Sequence, residues 1–82
     1  MRIKWHSNFQ IEDSTVQFGE AFIKIQSYEN INDTCNVSYI VTDESEQSVA
    51  KQVSHLYDRN FINEIEIYNV LLTEYENSEI VA

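Results

Sequence analysis

The stretch Asn60–Glu76, NFINEIEIYNVLLTEYE, decides the fold because its apolar residues recur with a helical period. Steps of four, three, four and three join Phe61, Ile65, Tyr68, Leu72 and Tyr75. This spacing puts them on one stripe of an α-helix. An isolated helix of about fifteen residues is marginal in water, so the stripe must be buried against other parts of the chain. The sequence therefore predicts a helix over residues 60–75, with Asp58 or Asn60 as its N-cap.

The same stripe has a second interpretation, a coiled-coil seam or a helix that binds in a groove of another protein. The stripe covers only about two heptads, and Tyr68 and Tyr75 would occupy seam positions. Both features favour packing against a sheet of the same chain. Ile67 and Leu71 widen the apolar arc, which is typical of a deeply buried helix or of one with a flank left for a partner.

Four segments before the helix alternate apolar and polar residues, as half-buried β-strands do. They are residues 2–11, 15–27, 35–42 and 49–57. The fourth segment also fits a helical spacing through Val49, Val53 and Leu56, but its β-branched residues and the short loop before it favour a strand. The phase of the second segment changes after Gly19, which we interpret as either a β-bulge or a loop.

The predicted fold is a single α+β domain over residues 1–82, with a four-stranded antiparallel sheet in meander order and one C-terminal helix packed on one face. Tyr28–Thr34 is expected to be a turn, and because the chain has one Gly and no Pro, Asn and Asp must supply positive φ angles. Residues 77–82 form either a loose tail or a short edge strand through Ile80 and Val81. The predicted inward residues of sheet and helix are Ile3, Trp5, Ile23, Ile25, Val37, Tyr39, Val41, Val53, Phe61, Ile65, Tyr68 and Leu72.

The opposite face of the predicted sheet carries large apolar residues as well. Phe22, Ile40 and Leu56 project there from neighbouring strands. Three such residues exceed what a small monomer usually leaves in contact with water. We therefore predict that this face is a protein interface, covered by another copy of the chain or by another protein.

The charge of the chain restricts its partners. With 82 residues and a net charge of −9, it repels DNA, RNA and anionic membrane surfaces, so nucleic-acid and membrane binding are not expected. A solvated surface is the simpler interpretation of this charge. The alternative is an acidic inhibitor that mimics a nucleic-acid backbone and blocks a basic site of a host defence or nucleic-acid enzyme. The longest acidic cluster is only Asp43, Glu44 and Glu46, which favours the first interpretation.

No residue pattern points to chemistry. Cys35 is the only cysteine, so an internal disulfide is excluded, and it begins a strand whose odd positions are expected to be buried. His6 and His55 are far apart and lack a second ligand type at metal-site spacing. Phosphate-binding, dinucleotide-binding and nucleophile-elbow motifs are absent from the sequence. We therefore expect no enzyme activity and no catalytic, cofactor or metal site, nor a signal peptide for secretion.

Two stretches of the chain resemble small proteins of tailed bacteriophages that are encoded among tail and baseplate genes. The stretches are GEAFIKIQSY and NVSYIVTDESEQSVAKQVSHLYDRNFI. In those proteins a strand with an A-[FY]-[IV]-[KR]-[IV] core precedes two strands and an N-F-I that opens the last helix. The matching residues here are Ala21, Phe22, Ile23, Lys24 and Ile25 for the first motif and Asn60, Phe61 and Ile62 for the second. The chain departs from the pattern after the helix, where residues 74–82 contain neither Pro nor Gly.

The resemblance implies a non-enzymatic structural or accessory role in a phage tail or baseplate. The expected partners are other tail proteins and further copies of the chain, because repeated small subunits usually form closed homo-oligomers. The expected location is the virion or the host cytoplasm.

Overall fold

Seven strands and one helix form within the part of the chain that the computed structural model describes. That part is residues 1–6 and 20–81, with the backbone of residues 9–10 and 17–18. In chain order the elements are β1 (Arg2–Trp5), β2 (Phe9–Gln10), β3 (Gln17–Phe18), β4 (Ala21–Ile31), β5 (Thr34–Thr42), β6 (Val49–Tyr57), α1 (Glu64–Glu74) and β7 (Ser78–Val81). The fold is α+β, as predicted. The predicted strand over 2–11 is interrupted after Trp5, and Gly19 lies outside the described residues.

The main sheet has five antiparallel strands in the order β6-β5-β4-β1-β7, and β2 pairs with β3 in a separate two-stranded sheet. The meander order of the four predicted strands is confirmed, but the prediction of only four strands is wrong. Of the two predictions for the C-terminal residues, a loose tail or a short edge strand through Ile80 and Val81, the edge strand is confirmed: β7 lies beside β1, with Ile80 opposite Ile3. Asn77 turns the chain after the helix with a φ of 61°, and this turn brings Ile80 against the core.

The β4–β5 hairpin is longer than the sequence predicted. β4 continues to Ile31, which pairs with Thr34 across a two-residue loop, so the predicted turn over 28–34 is wrong in its extent. Asn32 has a φ of 54°, in agreement with the expectation that Asn replaces Gly in the turns. The register of β4 shifts between Ile25 and Ser27, and this β-bulge breaks the alternation that marks a strand in the sequence.

The helix begins four residues later than predicted. Its N-cap is Asn63, whose side-chain oxygen accepts the Glu66 N–H at 3.1 Å, so neither Asp58 nor Asn60 is the cap. Glu66 in turn accepts the N–H of Ile62 at 2.7 Å, a reciprocal arrangement that satisfies two free donors at the helix start. Glu64 and Glu66 lie in the first turn, where the helix dipole favours negative charge.

The buried side of the helix is rotated relative to the predicted stripe. Ile67, Tyr68 and Leu71 are the buried helical residues, whereas Ile65 is 51% exposed. The predicted inward position of Ile65 is therefore wrong. The stripe was extrapolated from Phe61, which is buried but precedes the helix, so it does not share the helical phase.

The helix packs on one face of the sheet and runs along the length of β4. The segment before the helix is bonded to Asn30, and Tyr68 in its middle contacts Ile25. Tyr75 at its end packs on Trp5, which pairs with Ala21 at the start of β4. The core between them consists of Ile3, Ala21, Ile23, Ile25, Cys35, Val37, Tyr39, Val41, Tyr57, Phe61, Ile67, Tyr68 and Leu71.

Candidate interaction surface

The residue types that carry most enzyme chemistry are dispersed in the structure. Cys35 is fully buried in the core, as predicted. His6 lies 3.7 Å from Glu20, and the ring of His55 packs against that of Tyr57 at 4.3 Å. Within the described residues, no three His, Cys, Asp or Glu side chains come together in a way that could hold a metal ion.

The face opposite the helix carries the three residues predicted as an interface. The register places Phe22 opposite Thr42, Ile40 opposite Lys24, and Leu56 opposite Asn36, so all three share that face. Phe22 is only 5% exposed, with the Arg2 guanidinium carbon 4.1 Å from the centre of its ring. Phe22 therefore contributes little exposed apolar surface in the single chain, and the interface role of the three residues stays a prediction.

Polar residues separate Ile40 from Leu56 on the same face. The side chains of Ser54 and Asn36 are 3.3 Å apart, and Gln52 donates to Gln26 at 3.2 Å. Three of the five Lys and Arg side chains also belong to this face or its rim, namely Arg2, Lys4 and Lys24. The face is thus mainly polar, and Leu56, which is 58% exposed, is its most exposed member of the predicted set.

A shallow depression of about 340 Å³ lies at the β1 side of this face. It is lined by Met1, Arg2, Lys24, Glu44 and Glu46. Its cations are already partnered, because Lys24 lies 3.6 Å from the Glu46 carboxylate and Arg2 donates to the backbone oxygen of Glu44 at 3.0 Å. The lining therefore combines cations with the carboxylates of Glu44 and Glu46, so it is not a purely basic site for an anionic ligand.

An aromatic cluster joins the end of the helix to the sheet. The hydroxyls of Tyr39 and Tyr75 are 2.6 Å apart, and the Tyr75 ring packs edge-on against Trp5 with centroids 4.5 Å apart. Tyr57 donates to the Glu74 carboxylate at 2.9 Å. Burial, and then the hydrogen bond to Tyr75, raises the pKa of Tyr39, while burial and the hydrogen bond to Glu74 raise the pKa of Tyr57. These phenols remain protonated and satisfied, so the cluster serves to anchor the helix.

The longer of the two strands at the margins of the main sheet is β6. Among the described strands, β6 pairs only with β5 and forms one margin of the sheet. Its sequence, VAKQVSHLY, contains no carboxylate although the chain has 14 acidic residues in 82. A register shift near Ala50 makes its start irregular, whereas Lys51–Tyr57 pairs one-to-one with residues 35–41 of β5. We call the outward side of Lys51–Tyr57 the β6 edge.

The hydrogen-bonding direction of the β6 edge follows from the hairpin at the other side of β5. Ile31 and Thr34 close a two-residue loop, so they form a hydrogen-bonded pair, and the direction alternates from there along β5. Residues 35, 37, 39 and 41 therefore bond to β6, through its odd-numbered residues. The N–H and C=O groups of Gln52, Ser54 and Leu56 consequently point away from the sheet.

An independent contact supports this alternation. Ile25 is paired with Tyr39, which bonds toward β6, so the N–H of Ile25 must point toward β1. It does so, because it donates to the hydroxyl of Tyr68 at 3.1 Å on that side.

Sequence reasoning identified the strand but not its exposed edge. The signal was available, since the last strand of a meander has a neighbour on one side only. Periodicity directly reveals only which side chains share a face.

Comparison with known proteins adds no further information, since no family model, curated protein or solved structure matches this chain. In the described part of the chain, α1 is too short and too polar to cross a membrane.

Proposed function

We propose that this protein is a non-enzymatic assembly module that binds other protein chains through the β6 edge. The observation that carries the proposal is a regular, exposed strand margin, Lys51–Tyr57, with outward-pointing N–H and C=O groups and no carboxylate. Such a margin is a template for another strand. An added strand would form hydrogen bonds with the outward N–H and C=O groups, which belong to every second residue of the β6 edge.

Few of the usual protections against strand addition occur on this segment. Proteins commonly shield a free strand margin with proline, with several charges, with a bulge or by keeping the strand short. The β6 edge contains no proline, and its only Lys or Arg is Lys51. The bulge near Ala50 protects the start of β6 and leaves the following seven residues regular. By contrast, β7 at the opposite margin has four residues, one of which is Glu79.

We further propose that the assembly is a phage tail or baseplate, in which the protein is a structural or accessory component. This setting rests on the resemblance of Ala21–Ile25 and Asn60–Ile62 to the phage proteins. A tail or baseplate requires small subunits that repeat and bind one another, which is the behaviour an open strand margin provides.

The alternative role, an acidic mimic of a nucleic acid, has weaker support. Exposed carboxylates such as Glu29, Glu44, Glu64 and Glu76 lie on different elements and at both ends of the sheet. Several others are paired with cations, as in the contact between Glu66 and Arg59 at 3.0 Å. A backbone mimic needs a regular row of free negative charges.

The proposal is tested by light scattering of the wild type over a range of concentrations and by two substitutions of one residue. Ser54→Pro removes an outward N–H and leaves the ladder to β5 intact, so it should lower the assembly mass while the far-ultraviolet spectrum stays folded. Ser54→Ala retains the N–H and should assemble like the wild type.

Two results would overturn the proposal. One is an assembly that Ser54→Pro and Ser54→Ala leave equally intact, because the β6 edge would then be unused. The other is a concentration-independent monomer that binds a basic nucleic-acid enzyme with steep salt dependence, because that behaviour belongs to the charge mimic.

A further inference from the structure

We infer that the partner at the β6 edge is a second copy of this chain, paired antiparallel with Ser54 on the two-fold axis. The inference rests on the proposed function and specifies its first step. It is carried by the symmetry of the regular segment, by the side chains that this symmetry brings together, and by the charges near the axis.

The regular segment has its midpoint at Ser54. Lys51–Tyr57 is the part of β6 that pairs without irregularity, and three residues lie on each side of Ser54. Self-pairing about this point overlaps the whole segment. It also uses the outward N–H and C=O groups. Ser54 pairs with Ser54 of the second copy, and Gln52 of each copy pairs with Leu56 of the other. Every outward backbone group of the segment then has a partner.

The opposed side chains are compatible in this register. On the helix side of the sheet, Lys51 faces Tyr57 of the second copy, and Val53 faces His55. On the other face Leu56, which is 58% exposed in the single chain, gains a neighbour in Gln52. Lys51 already lies over an aromatic ring in the single chain, 5.3 Å from the centre of Tyr75. A second aromatic opposite it extends the same cation–π environment.

The neighbouring symmetric registers are less favourable. A two-fold axis at Val53 places two basic side chains, Lys51 and His55, opposite each other. It also extends the pairing into the bulge near Ala50. An axis at His55 places that residue opposite itself and shortens the overlap. Ser54 is the only one of these three centres that uses the full segment and opposes no basic pair.

Charge explains why this margin permits self-association of a chain with a net charge of −9. The segment carries no carboxylate, so neither of the two paired strand segments contributes an acidic side chain at the axis. The two Lys51 side chains are six residues apart along the pair, or about 20 Å, which exceeds the Debye length of about 8 Å at physiological salt. Like-charge repulsion across the axis is therefore small.

The dimer formed in this way is a continuous sheet. A two-fold axis perpendicular to the sheet keeps the faces in register, so both helices lie on the same side. The opposite, mainly polar face of both copies is then one uninterrupted surface, and it includes Leu56 near the axis.

A disulfide trap tests the register. In the inferred dimer the Cα atoms of Ser54 are about 5.5 Å apart, within the range of about 4.4 to 6.8 Å that a disulfide spans, whereas those of Gln52 are about 14 Å apart. Ser54→Cys should therefore form a covalent dimer under mild oxidation, and Gln52→Cys should remain at the background level of the wild type. Cys35 is fully buried and present in all three proteins.

The outcomes separate the inference from the proposed function. If Ser54→Cys fails to cross-link, or if Gln52→Cys cross-links equally well, the inferred register is wrong. The assembly role would still stand if light scattering shows an oligomer that Ser54→Pro disrupts. If Ser54→Cys links selectively and the wild type shows a concentration-dependent dimer, both are supported.

Discussion

The hydroxyl of Tyr68 accepts a hydrogen bond from the N–H of Ile25 at 3.1 Å, and thereby inserts a helix side chain into the backbone ladder of the sheet. The same hydroxyl donates to the carbonyl oxygen of Met1 at 3.0 Å. The register that pairs Ile3 with Ile23 would bring Met1 opposite Ile25. Tyr68 thus occupies the place of a direct backbone hydrogen bond and ties the helix to two strands at once.

Removing this hydroxyl should cost stability without changing the fold. Tyr68→Phe leaves the buried N–H of Ile25 without its partner, and an unsatisfied buried donor costs about 1 to 3 kcal/mol. Urea unfolding monitored by circular dichroism measures the change. Tyr28→Phe is the matched control, since Tyr28 is 37% exposed, and it should alter the free energy of unfolding by less than about 0.5 kcal/mol. Equal effects of the two substitutions would contradict the bridging role.

Two isoleucines of the helix distinguish its observed phase from the one predicted by periodicity. Ile67→Ala opens a cavity in the core and should lower the free energy of unfolding by about 2 to 5 kcal/mol. Ile65→Ala, at a half-exposed position, should change it by less than about 0.5 kcal/mol. Denaturation midpoints of the two variants provide the comparison. If Ile65→Ala lowered the free energy of unfolding more than Ile67→Ala does, the buried side of the helix would be the one that the periodicity predicted.

Asn30 holds the segment before the helix against the end of β4. Its side-chain nitrogen donates to the carbonyl oxygen of Phe61 at 2.8 Å, and its oxygen accepts the N–H of Phe61 at 3.0 Å. Asn30→Ala should therefore lower the free energy of unfolding by about 1 to 2 kcal/mol. Asn36→Ala is the control, because the single hydrogen bond of that exposed side chain to another described residue is the 3.3 Å contact with Ser54. Thermal unfolding measures the stability of both variants. Equal stabilities would argue against the role of Asn30 in holding the segment before the helix.

Alkaline pH should destabilise the protein through its buried phenols. Burial is the first cause that raises the pKa of Tyr39, Tyr57 and Tyr68 in the folded state. Because these pKa values lie above the unfolded value of about 10, the stabilisation is complete below about pH 10 and declines as the pH rises toward the folded values. Urea midpoints measured from about pH 8 to about pH 11 should fall, with a shallower slope for Tyr57→Phe. An identical slope in the variant would show that Tyr57 does not contribute.

The loop between β5 and β6 should respond in the acid range. Desolvation acts to raise the pKa of Asp43, but hydrogen bonds from Ser48, Ser45 and Gln47 outweigh it and lower the pKa of this carboxyl below its usual value. The contribution of Asp43 is therefore present above the unfolded pKa of about 4 and is lost as the pH falls through the lower folded value. With falling pH, the urea midpoint of Asp43→Asn should decline less than that of the wild type. Equal declines would show that Asp43 does not contribute to the acid response.

Local periodicity predicted the strands best where apolar and polar residues alternate without interruption. The bounds of β6 were predicted correctly, because its β-branched residues and the short preceding loop outweighed the helical spacing. The bulge beside Gln26 removed that pattern from the second half of β4, so the strand was predicted to end too early. β7 depends on pairing with β1 at the far end of the chain, a relationship that no local window contains.

The helix start was predicted wrongly, and the predicted interface of Phe22, Ile40 and Leu56 stays a prediction. The spacing of the apolar Phe61 from Ile65 made it look like part of the helix, although Asn63 followed by Glu66 was the better start signal. For the surface, alternation correctly grouped Phe22 with Ile40 and Leu56 on one face. It could not show that Phe22 is buried with Arg2 over its ring, nor which backbone groups remain unpaired.

The placement of β7 beside β1 also has a kinetic consequence. Joining β4 to β5 closes a loop of two residues, whereas joining β7 to β1 closes nearly the whole chain, and the entropy of loop closure rises with length. We expect the β4–β5–β6 meander to form early and β7 to dock last. The four-residue β7, with no fully buried residue, should then be the first part of the sheet to exchange its amide protons with solvent.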